Sequence, residues 1–309
     1  MKRDPIAAAL ADFKSVDLSW LRPPPTDDGW AMAPDALRFL SSLARHLKPR
    51  HILEFGSGHS TRVLARACPR CAISSVDHDP EFALKKKAQV APLVARDCGG
   101  KILPVYLLDP KRFASRRPVD LVVIDGPPVN LGGREGTLYQ AMDFARAGTI
   151  VLLDDAGRAE EKAILQRWQE SLGDAIAVRR LPGFSRGLAV VIVCQPVRRA
   201  ELWAHRERLT QRDVGRLVPR GSLVISVGGI PLAPGRRVFS FMEDEGLPAN
   251  DAMAIHEVER LRKKGAGFLA FAGHAFWWLD CYAGLARHLR ERHRCLLEND
   301  RVVLFKLRR

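Results

Sequence analysis

The feature that most limits the fold is an alternation of short apolar runs with helical patterns. The runs are rich in Val, Ile and Leu, and most end in an acidic residue or glycine: His51–Gly56, Ala72–Asp77, Ile102–Leu107, Asp120–Asp125 and Thr149–Asp155. Helical patterns separate most of them: Thr61–Ala67, Pro80–Val94, Gly136–Ala145 and Ala159–Leu172. Continuous apolar strands that alternate with helices indicate a parallel sheet covered on both faces.

The series ends on two strand-like segments, Ala175–Leu181 and Leu188–Cys194. Only Pro182–Gly187 lies between them, which is too short for a crossover helix, so the two strands must be antiparallel. We therefore predict an α/β fold with a Rossmann-like, mostly parallel sheet that is closed by an antiparallel last strand. A nicotinamide-binding Rossmann domain does not end in this way.

The length of 309 residues suggests two domains. We predict an irregular N-terminal segment (1–29), an α/β domain (30–196), a linker helix (197–212) and a smaller C-terminal α/β domain (213–309). The last of these is predicted from alternating strands and helices at Ser222–Val227, Asn250–Lys264, Gly267–Ala272, Trp278–Glu291 and Arg301–Leu307.

The net charge of +14 could attract polyanions, but no basic run is interleaved with aromatic residues as a base-stacking surface requires. Nucleic acid is therefore not the expected partner. No apolar run reaches membrane-spanning length, no signal peptide is visible, and the six cysteines include only one isolated CxxC pattern. These features predict a cytoplasmic protein with free thiols and no membrane span, and leave its oligomeric state open.

A glycine turn follows the first strand, in the sequence Ile-Leu-Glu-Phe-Gly-Ser-Gly-His-Ser-Thr from residue 52 to 61. Ligands of open α/β sheets bind at the carboxyl ends of strands, and glycine lets the backbone approach a ligand closely. Thr61 stands where a dinucleotide fingerprint has its third glycine, which counts against a pyrophosphate site.

An acidic residue, Asp77, ends the second strand and is followed by His78. It lies 19 residues beyond Gly58 (77 − 58), which fits one βαβ unit. Its carboxylate could accept hydrogen bonds from both hydroxyls of a ribose. The alternative is a helix N-cap ahead of Pro80.

Three carboxylates, Asp125, Asp154 and Asp155, end the fourth and fifth predicted strands. Neighbouring parallel strands would bring them to one sheet edge, where clustered oxygen ligands suit Mg²⁺. The alternative is that Asp125 contacts cofactor or substrate, while Asp154 or Asp155 caps the next helix. Arg134 and Arg158 lie nearby in sequence, and either could bind an anionic group of a substrate or pair with these carboxylates. We expect ion pairs.

With these motifs, residues 30–195 resemble class I S-adenosylmethionine (AdoMet, SAM) dependent methyltransferases, particularly the small-molecule O-methyltransferases such as catechol O-methyltransferase. Leu53–Thr61 and Ser75–Glu81 carry the resemblance. It implies that Asp77 binds ribose, that Ser60 contacts the methionine part and that Glu54 and Gly56 line it. The predicted cofactor residues are Glu54, Gly56, Ser57, Gly58, Ser60, Asp77, His78 and Asp125.

The resemblance also implies a metal held by Asp125, Asp154 and Asp155, with two departures. The family has an Asp-Asn pair where this chain has Asp154-Asp155, and a lysine where this chain has Pro128. The general base is therefore not carried over, and His59 and His78 are candidates by sequence position. The predicted catalytic residues are Asp125, Asp154 and His59.

Residues 205–309 resemble a small α/β module attached to bacterial glycosyltransferases, and the adjacent Trp277 and Trp278 could stack on sugars or simply pack. We therefore predict a methyltransferase that acts on oxygen of a small molecule or a glycan-related acceptor, with AdoMet and possible Mg²⁺ assistance. The alternatives are an NAD- or nucleotide-binding enzyme on a similar sheet, and a non-catalytic module that binds polyanions.

Overall fold

Two main sheets organise the chain, one of seven strands and one of five. They belong to two compact units, Met1–Leu202 and Trp203–Arg309. The computed structural model describes residues 4–26, 31–84, 87–108, 118–230, 232, 234–241 and 246–308. Residue 30, where we predicted the first domain to begin, lies outside the described residues.

The described residues of the first unit form nine strands: β1 (His51–Phe55), β2 (Ala72–Asp77), β3 (Ala88–Val90), β4 (Leu93–Asp97), β5 (Ile102–Tyr106), β6 (Val119–Ile124), β7 (Ala145–Asp154), β8 (Ile176–Leu181) and β9 (Leu188–Val193). The order in the sheet is β3-β2-β1-β6-β7-β9-β8. Strand β9 is antiparallel to both of its neighbours, whereas the other pairs are parallel. The predicted fold class, a mostly parallel Rossmann-like sheet closed by an antiparallel strand, is confirmed.

Helices α1 (Pro5–Asp12), α2 (Pro34–Leu47), α3 (His59–Ala67), α4 (Glu135–Met142) and α5 (Ala159–Leu172) cover both faces of this sheet. Helix α6 (Arg199–Leu217) begins in the first unit and continues into the second. Alternate residues of the central strands enter opposite cores. Phe55 packs in the core that holds Trp168, and Ile52 packs in the core that holds Phe39. Burial on both faces explains why these strands are continuously apolar in sequence.

Three predictions for the first unit are wrong. The N-terminal segment is not wholly irregular, because Asp4 caps α1 and Ile6 and Ala9 of that helix are buried. The helix predicted at Pro80–Val94 is not formed by the described residues of that range, which are all but 85 and 86. They form a turn, strand β3 and the start of β4. Pro92 has no backbone N–H to continue a helix. Strand β5 pairs antiparallel with β4 in a separate two-stranded sheet, not in the main one.

The second unit contains strands β10 (Leu223–Val227), β11 (Arg237–Ser240), β12 (Phe268–Ala272), β13 (Arg294–Glu298) and β14 (Val302–Lys306), in the order β11-β10-β12-β14-β13. Its helices are α7 (Asp251–Lys263), α8 (Trp277–Cys281) and α9 (Ala283–Arg292). The predicted second α/β region is confirmed. The helix predicted at Trp278–Glu291 is divided at Tyr282, whose backbone is non-helical.

None of the helices formed by the described residues combines the length and the apolar character that crossing a bilayer requires.

Candidate functional site

The strand register brings the carboxyl ends of four strands of the first unit to one edge of the sheet. Phe55 at the end of β1 is paired with Val76 of β2 on one side and with Ile124 of β6 on the other. Ile124 is in turn paired with Leu153 of β7. Residues that follow these four positions therefore lie side by side, and they include most of the residues predicted from the sequence.

The turn after β1 is shaped by two glycines. Gly56 has φ +96°, and its N–H donates to the carbonyl of Val76 across 2.8 Å. A Cβ at Gly56 would lie 3.3 Å from Asp125, whereas a Cβ at Gly58, whose φ is +151°, would meet nothing within 4 Å. The turn is thus packed against β6 on one side and open at Gly58 on the other.

Thr61 holds the turn to the helix that follows it. Its hydroxyl accepts from the backbone N–H of Gly58 across 3.2 Å and donates to Glu54 Oε2 across 2.6 Å. This hydroxyl caps the N-terminus of α3, where the first N–H groups lack helical partners. In the sequence, Thr61 was evidence only against a dinucleotide site, and its capping role was missed.

Glu54 and Ser60 meet at the buried base of the turn. Glu54 is completely buried and Ser60 is nearly so. Burial raises the pKa of Glu54, and hydrogen bonds from the hydroxyls of Thr61, Ser60 and Ser75 oppose that rise. The structure therefore brings Glu54 and Ser60 together, and their contact with the methionine part of a cofactor stays a prediction.

Asp77 is directed at the glycine turn. Its Oδ2 accepts from the backbone N–H of Ser57 across 2.9 Å, and its Oδ1 accepts from the N–H of Asp79 across 3.1 Å. The Nδ1 of His78 lies 3.2 Å from the same Oδ1. The alternative role of Asp77 was to cap a helix. The described residues that follow it form a turn and β3, so Asp77 does not cap a helix there.

The carboxylates of Asp125, Asp154 and Asp155 are brought together as predicted, with one oxygen of each within 4.8 Å of the others. The Asp125 side chain is 16% exposed, whereas Asp154 and Asp155 are buried. Both carboxylate oxygens of Asp154 are without a hydrogen-bond partner among the described residues. Burial, followed by the charges of Asp125 and Asp155, raises the pKa of Asp154 well above its usual value.

Asp125 differs from Asp154 in being accessible and in having a cationic partner. Burial raises the pKa of Asp125 to about 6, although the Arg134 guanidinium acts in the opposite direction. A carboxyl with this pKa exchanges its proton near neutral pH, which suits acid-base work. The Cβ of Asp125 also packs against Gly56, where a Cβ on that glycine would lie 3.3 Å away from it.

Arg134 lies among these carboxylates. Its Nη2 donates to Asp125 across 3.0 Å and to Asp155 across 2.9 Å. Arg158 and Arg186 also approach Asp155, at 3.1 Å and 3.5 Å. The expected ion pairing of Arg134 and Arg158 is confirmed. The contact of Arg186, which lies in the turn between β8 and β9, was missed.

Asp155 itself has an uncommon backbone conformation, with φ +57°. Left-handed backbone is costly for a residue other than glycine and persists where the surroundings hold it. Here three arginines contact the carboxylate. The ion pairs and the left-handed backbone conformation together fix the position of the Asp155 side chain.

The predicted base His59 is not joined to the acidic residues by any contact that the structure describes. Its Nε2 lies 2.8 Å from the carbonyl oxygen of Pro23. His78, the other candidate, lies against Asp77. The catalytic role of His59 stays a prediction. Its described partner is the backbone carbonyl of Pro23, which lies 36 residues earlier in the chain.

Tyr106, at the end of β5, was missed in the sequence. Its ring stacks on Phe55, with ring centroids 5.4 Å apart. Its buried hydroxyl has no hydrogen-bond partner among the described residues and lies where a Cβ on Gly126 would collide with it. Burial and the charges of Asp77 and Asp125 raise the pKa of this hydroxyl. Its position at the end of an apolar run was the only signal available.

The donor set of Asp125, Asp154 and Asp155 has the oxygen chemistry that Mg²⁺ prefers, but the arrangement does not fit the ion. Mg²⁺ requires oxygens at about 2.0–2.1 Å in near-octahedral geometry. The guanidinium of Arg134 already occupies an oxygen of Asp125 and one of Asp155. Their role as magnesium ligands stays a prediction, and the position of Arg134 speaks against it.

Comparisons with known proteins found only distant similarities. No protein-family model matches the sequence, and no curated protein matches it. Among solved structures, an O-methyltransferase from Bacillus cereus in complex with SAH is similar at 17% identity and a TM-score of 0.41, over 62% of this chain and 92% of that chain. The O-methyltransferase TomG from Streptomyces achromogenes, in complex with SAM, is similar at 18% identity and a TM-score of 0.40, over 62% and 91%.

A third structure, the SAH-bound methyltransferase PaMTH1 from Podospora anserina, is similar at 14% identity and a TM-score of 0.38, over 62% of this chain and 88% of that chain. Similarities at this level of identity and TM-score carry no argument about activity. Function has to be inferred from the geometry of the site.

Proposed function

We propose that this chain is a class I AdoMet-dependent methyltransferase that methylates oxygen on a small molecule. The observation that carries the proposal is the position of Asp77, whose carboxylate accepts from Ser57 in the open glycine turn at the end of β1. An acid at the end of the second strand beside such a turn is the arrangement that binds the ribose of an adenosyl group.

The residues around the turn fit AdoMet in several respects. Gly58 leaves space where any other residue would place a Cβ, and Gly56 lets the turn approach β6 closely. Asp77 uses one oxygen for Ser57 and the other for Asp79, and each carboxylate oxygen has a further lone pair for a ribose hydroxyl. Glu54 and Ser60 would line the methionine end. When bound, AdoMet supplies an electrophilic methyl group on its sulfonium sulfur.

Methyl transfer to a hydroxyl needs alignment of the acceptor and removal of its proton. Asp125 is suited to the second task, because its side chain is 16% exposed while the other two acids are buried, and its pKa is raised to about 6. The buried Asp154 lies behind it and would act on the acceptor only through Asp125. Arg134 holds Asp125 in place.

Divalent-metal assistance is not part of the proposal, because the Arg134 guanidinium already occupies one oxygen of Asp125 and one of Asp155. The acceptor class rests on the small-molecule O-methyltransferase resemblance of residues 30–195. A glycan-related acceptor rests on the resemblance of residues 205–309 alone. Both are proposals, as is a cytoplasmic location.

A thermal-shift experiment with AdoMet, NAD⁺ and a DNA duplex tests the proposal against the alternatives. We expect AdoMet and its demethylated product to raise the melting temperature, with no shift from NAD⁺ or from DNA. A shift from NAD⁺ alone would favour the dinucleotide enzyme. Salt-sensitive binding of DNA without any response to AdoMet would favour the polyanion-binding module.

A further inference from the structure

The guanidinium of Arg134 is surrounded by acceptors. Its Nη2 donates to Asp125 Oδ1 and to Asp155 Oδ2, and its Nη1 donates to the backbone carbonyl of Asp154 across 2.7 Å. Glu161 Oε1 lies 3.7 Å from the same Nη1. The side chain thus bridges the ends of β6 and β7 and the first turn of α5.

Arg134 is a permanent cation in this position. Its side chain is 6% exposed, so water contributes little to its solvation. Burial alone would lower its pKa, but Asp125, Asp155, Asp154 and Glu161 raise the pKa above its usual value. An arginine side chain is not deprotonated in proteins under ordinary conditions. The cluster therefore holds one fixed positive charge at its centre.

The path of the chain fixes this guanidinium in place. Arg134 immediately precedes α4, all eight residues of which are buried. A Cβ at Gly136 would collide with the carbonyl oxygen of Pro104 in β5, so glycine is required where the helix begins. The hydroxyl of Thr137 donates back to the carbonyl of Arg134 across 2.6 Å. Arg134 is therefore built into the fold and not a mobile surface residue.

The carboxylates that face Arg134 are those that a divalent cation would need. Asp125 and Asp155 each give an oxygen to the guanidinium, and Asp155 is also approached by Arg158 and Arg186. Of these three acids, Asp154 alone has both carboxylate oxygens buried and without a hydrogen-bond partner in the described parts of the chain. A single carboxylate is a poor site for a hard divalent ion, which usually takes at least one further protein or substrate oxygen.

We propose that Arg134 takes the place of the divalent cation at this sheet edge, so that the chain binds no Mg²⁺ or Mn²⁺ there and methyl transfer needs no metal. The part of this inference that concerns methyl transfer rests on the proposed function. Arg134 acts as a positioning residue, because its donors are directed at Asp125, Asp155 and the backbone of Asp154. It orients Asp125 and supplies the positive charge that would otherwise come from an ion.

Titration with Mn²⁺ alone, followed by electron paramagnetic resonance, tests the inference without AdoMet or acceptor. We expect no site tighter than millimolar in the wild-type protein. R134M removes the charge while it keeps a side chain of similar length, and we expect it to gain Mn²⁺ affinity by at least tenfold. R134K keeps a positive charge, and we expect it to remain free of metal.

The matched control is R158M. Arg158 contacts Asp155 at 3.1 Å but is 43% exposed, whereas Arg134 is 6% exposed. We expect this variant to gain no Mn²⁺ affinity. An equal gain in R158M would overturn the assignment to Arg134. So would a folded R134M, with the circular dichroism spectrum of the wild type, that binds no Mn²⁺.

The wild-type protein can also overturn the inference without any arginine variant. Micromolar Mn²⁺ binding that D125N abolishes would place a metal at the cluster despite Arg134. If the proposed function is wrong, a separate titration with AdoMet shows no binding, and this result is independent of the Mn²⁺ titration. AdoMet binding that is unchanged by excess chelator is expected.

Discussion

The carboxylate of Asp77 lies 2.9 Å from the backbone nitrogen of Ser57, so the end of the second strand is tied directly to the glycine turn after the first. This contact joins two segments that are separated by helix α3 in the sequence. It positions an acid beside an open stretch of backbone at the edge of a parallel sheet, where ligands of such sheets bind.

Replacement of Gly58 tests whether the open side of the turn is a binding surface. Gly58→Ala places a Cβ in space that no protein atom fills within 4 Å, and it forces alanine to adopt φ +151°. We expect AdoMet affinity to fall at least tenfold, measured by calorimetry. Gly148→Ala is the control, because its φ is +87° and its Cβ also meets nothing within 4 Å.

Both variants carry backbone strain of about 1 kcal/mol or more, so their losses of thermal stability should be similar. Only Gly58→Ala should affect the cofactor. Equal AdoMet affinity in the two variants would contradict the assignment of the turn.

Thr61 tests the anchoring of the turn. Thr61→Val removes the hydroxyl that donates to the buried Glu54 and accepts from Gly58. We expect a loss of about 1–3 kcal/mol in the free energy of unfolding, because a buried acceptor loses its donor and the helix loses its cap. Thr61→Ser keeps the hydroxyl and should lose less than half as much. Identical urea midpoints for the two variants would show that the hydroxyl does not hold the turn.

Asp154 gives a prediction for the pH dependence of stability. Its pKa is raised in the folded protein, so the folded state binds more protons than the unfolded state above pH 4. Stability therefore falls as pH rises from about 4 towards the raised pKa. Asp154→Asn removes this penalty. We expect the variant to be more stable than the wild type at pH 7.5 by about 1 kcal/mol or more, and the gain to shrink towards pH 4.

Asp120 is the control of opposite sign. Burial raises its pKa, but hydrogen bonds from Arg146 and from the backbone of Arg50 and His51 outweigh burial and lower it overall. Asp120→Asn should therefore destabilise the protein at pH 7.5 and have less effect at pH 4. A loss of stability at pH 7.5 in Asp154→Asn would contradict the prediction, since it would mean that the ionised side chain is well paired.

The sheet was predictable because its central strands are buried on both faces and so are continuously apolar. Parallel strands also bring their carboxyl ends to one edge, which is why Asp77, Asp125 and Asp154 could be placed together from sequence. Edge strands β11 and β13 were not predictable in this way, because each begins and ends on an exposed polar or charged residue and has no continuously buried apolar run.

The partners of the acids were harder to predict. Arg134 reaches the cluster because Gly136 packs against Pro104, a contact across 32 residues (136 − 104) that no local pattern encodes. The same holds for Arg186, which comes from the turn between β8 and β9. The pairing of Arg134 and Arg158 with these acids was expected from their positions in the sequence, whereas the contact of Arg186 with Asp155 was not.

The most direct test of the account is a calorimetric titration of AdoMet into the wild type, Asp77→Ala and Asp79→Ala. Asp79 is two residues away, and its described side-chain contact is with the N–H of Glu81. We predict one AdoMet site per chain in the wild type, a loss of at least tenfold in affinity in Asp77→Ala, and wild-type affinity in Asp79→Ala. Binding of AdoMet to Asp77→Ala at wild-type strength, or no binding to the wild type, would contradict the account.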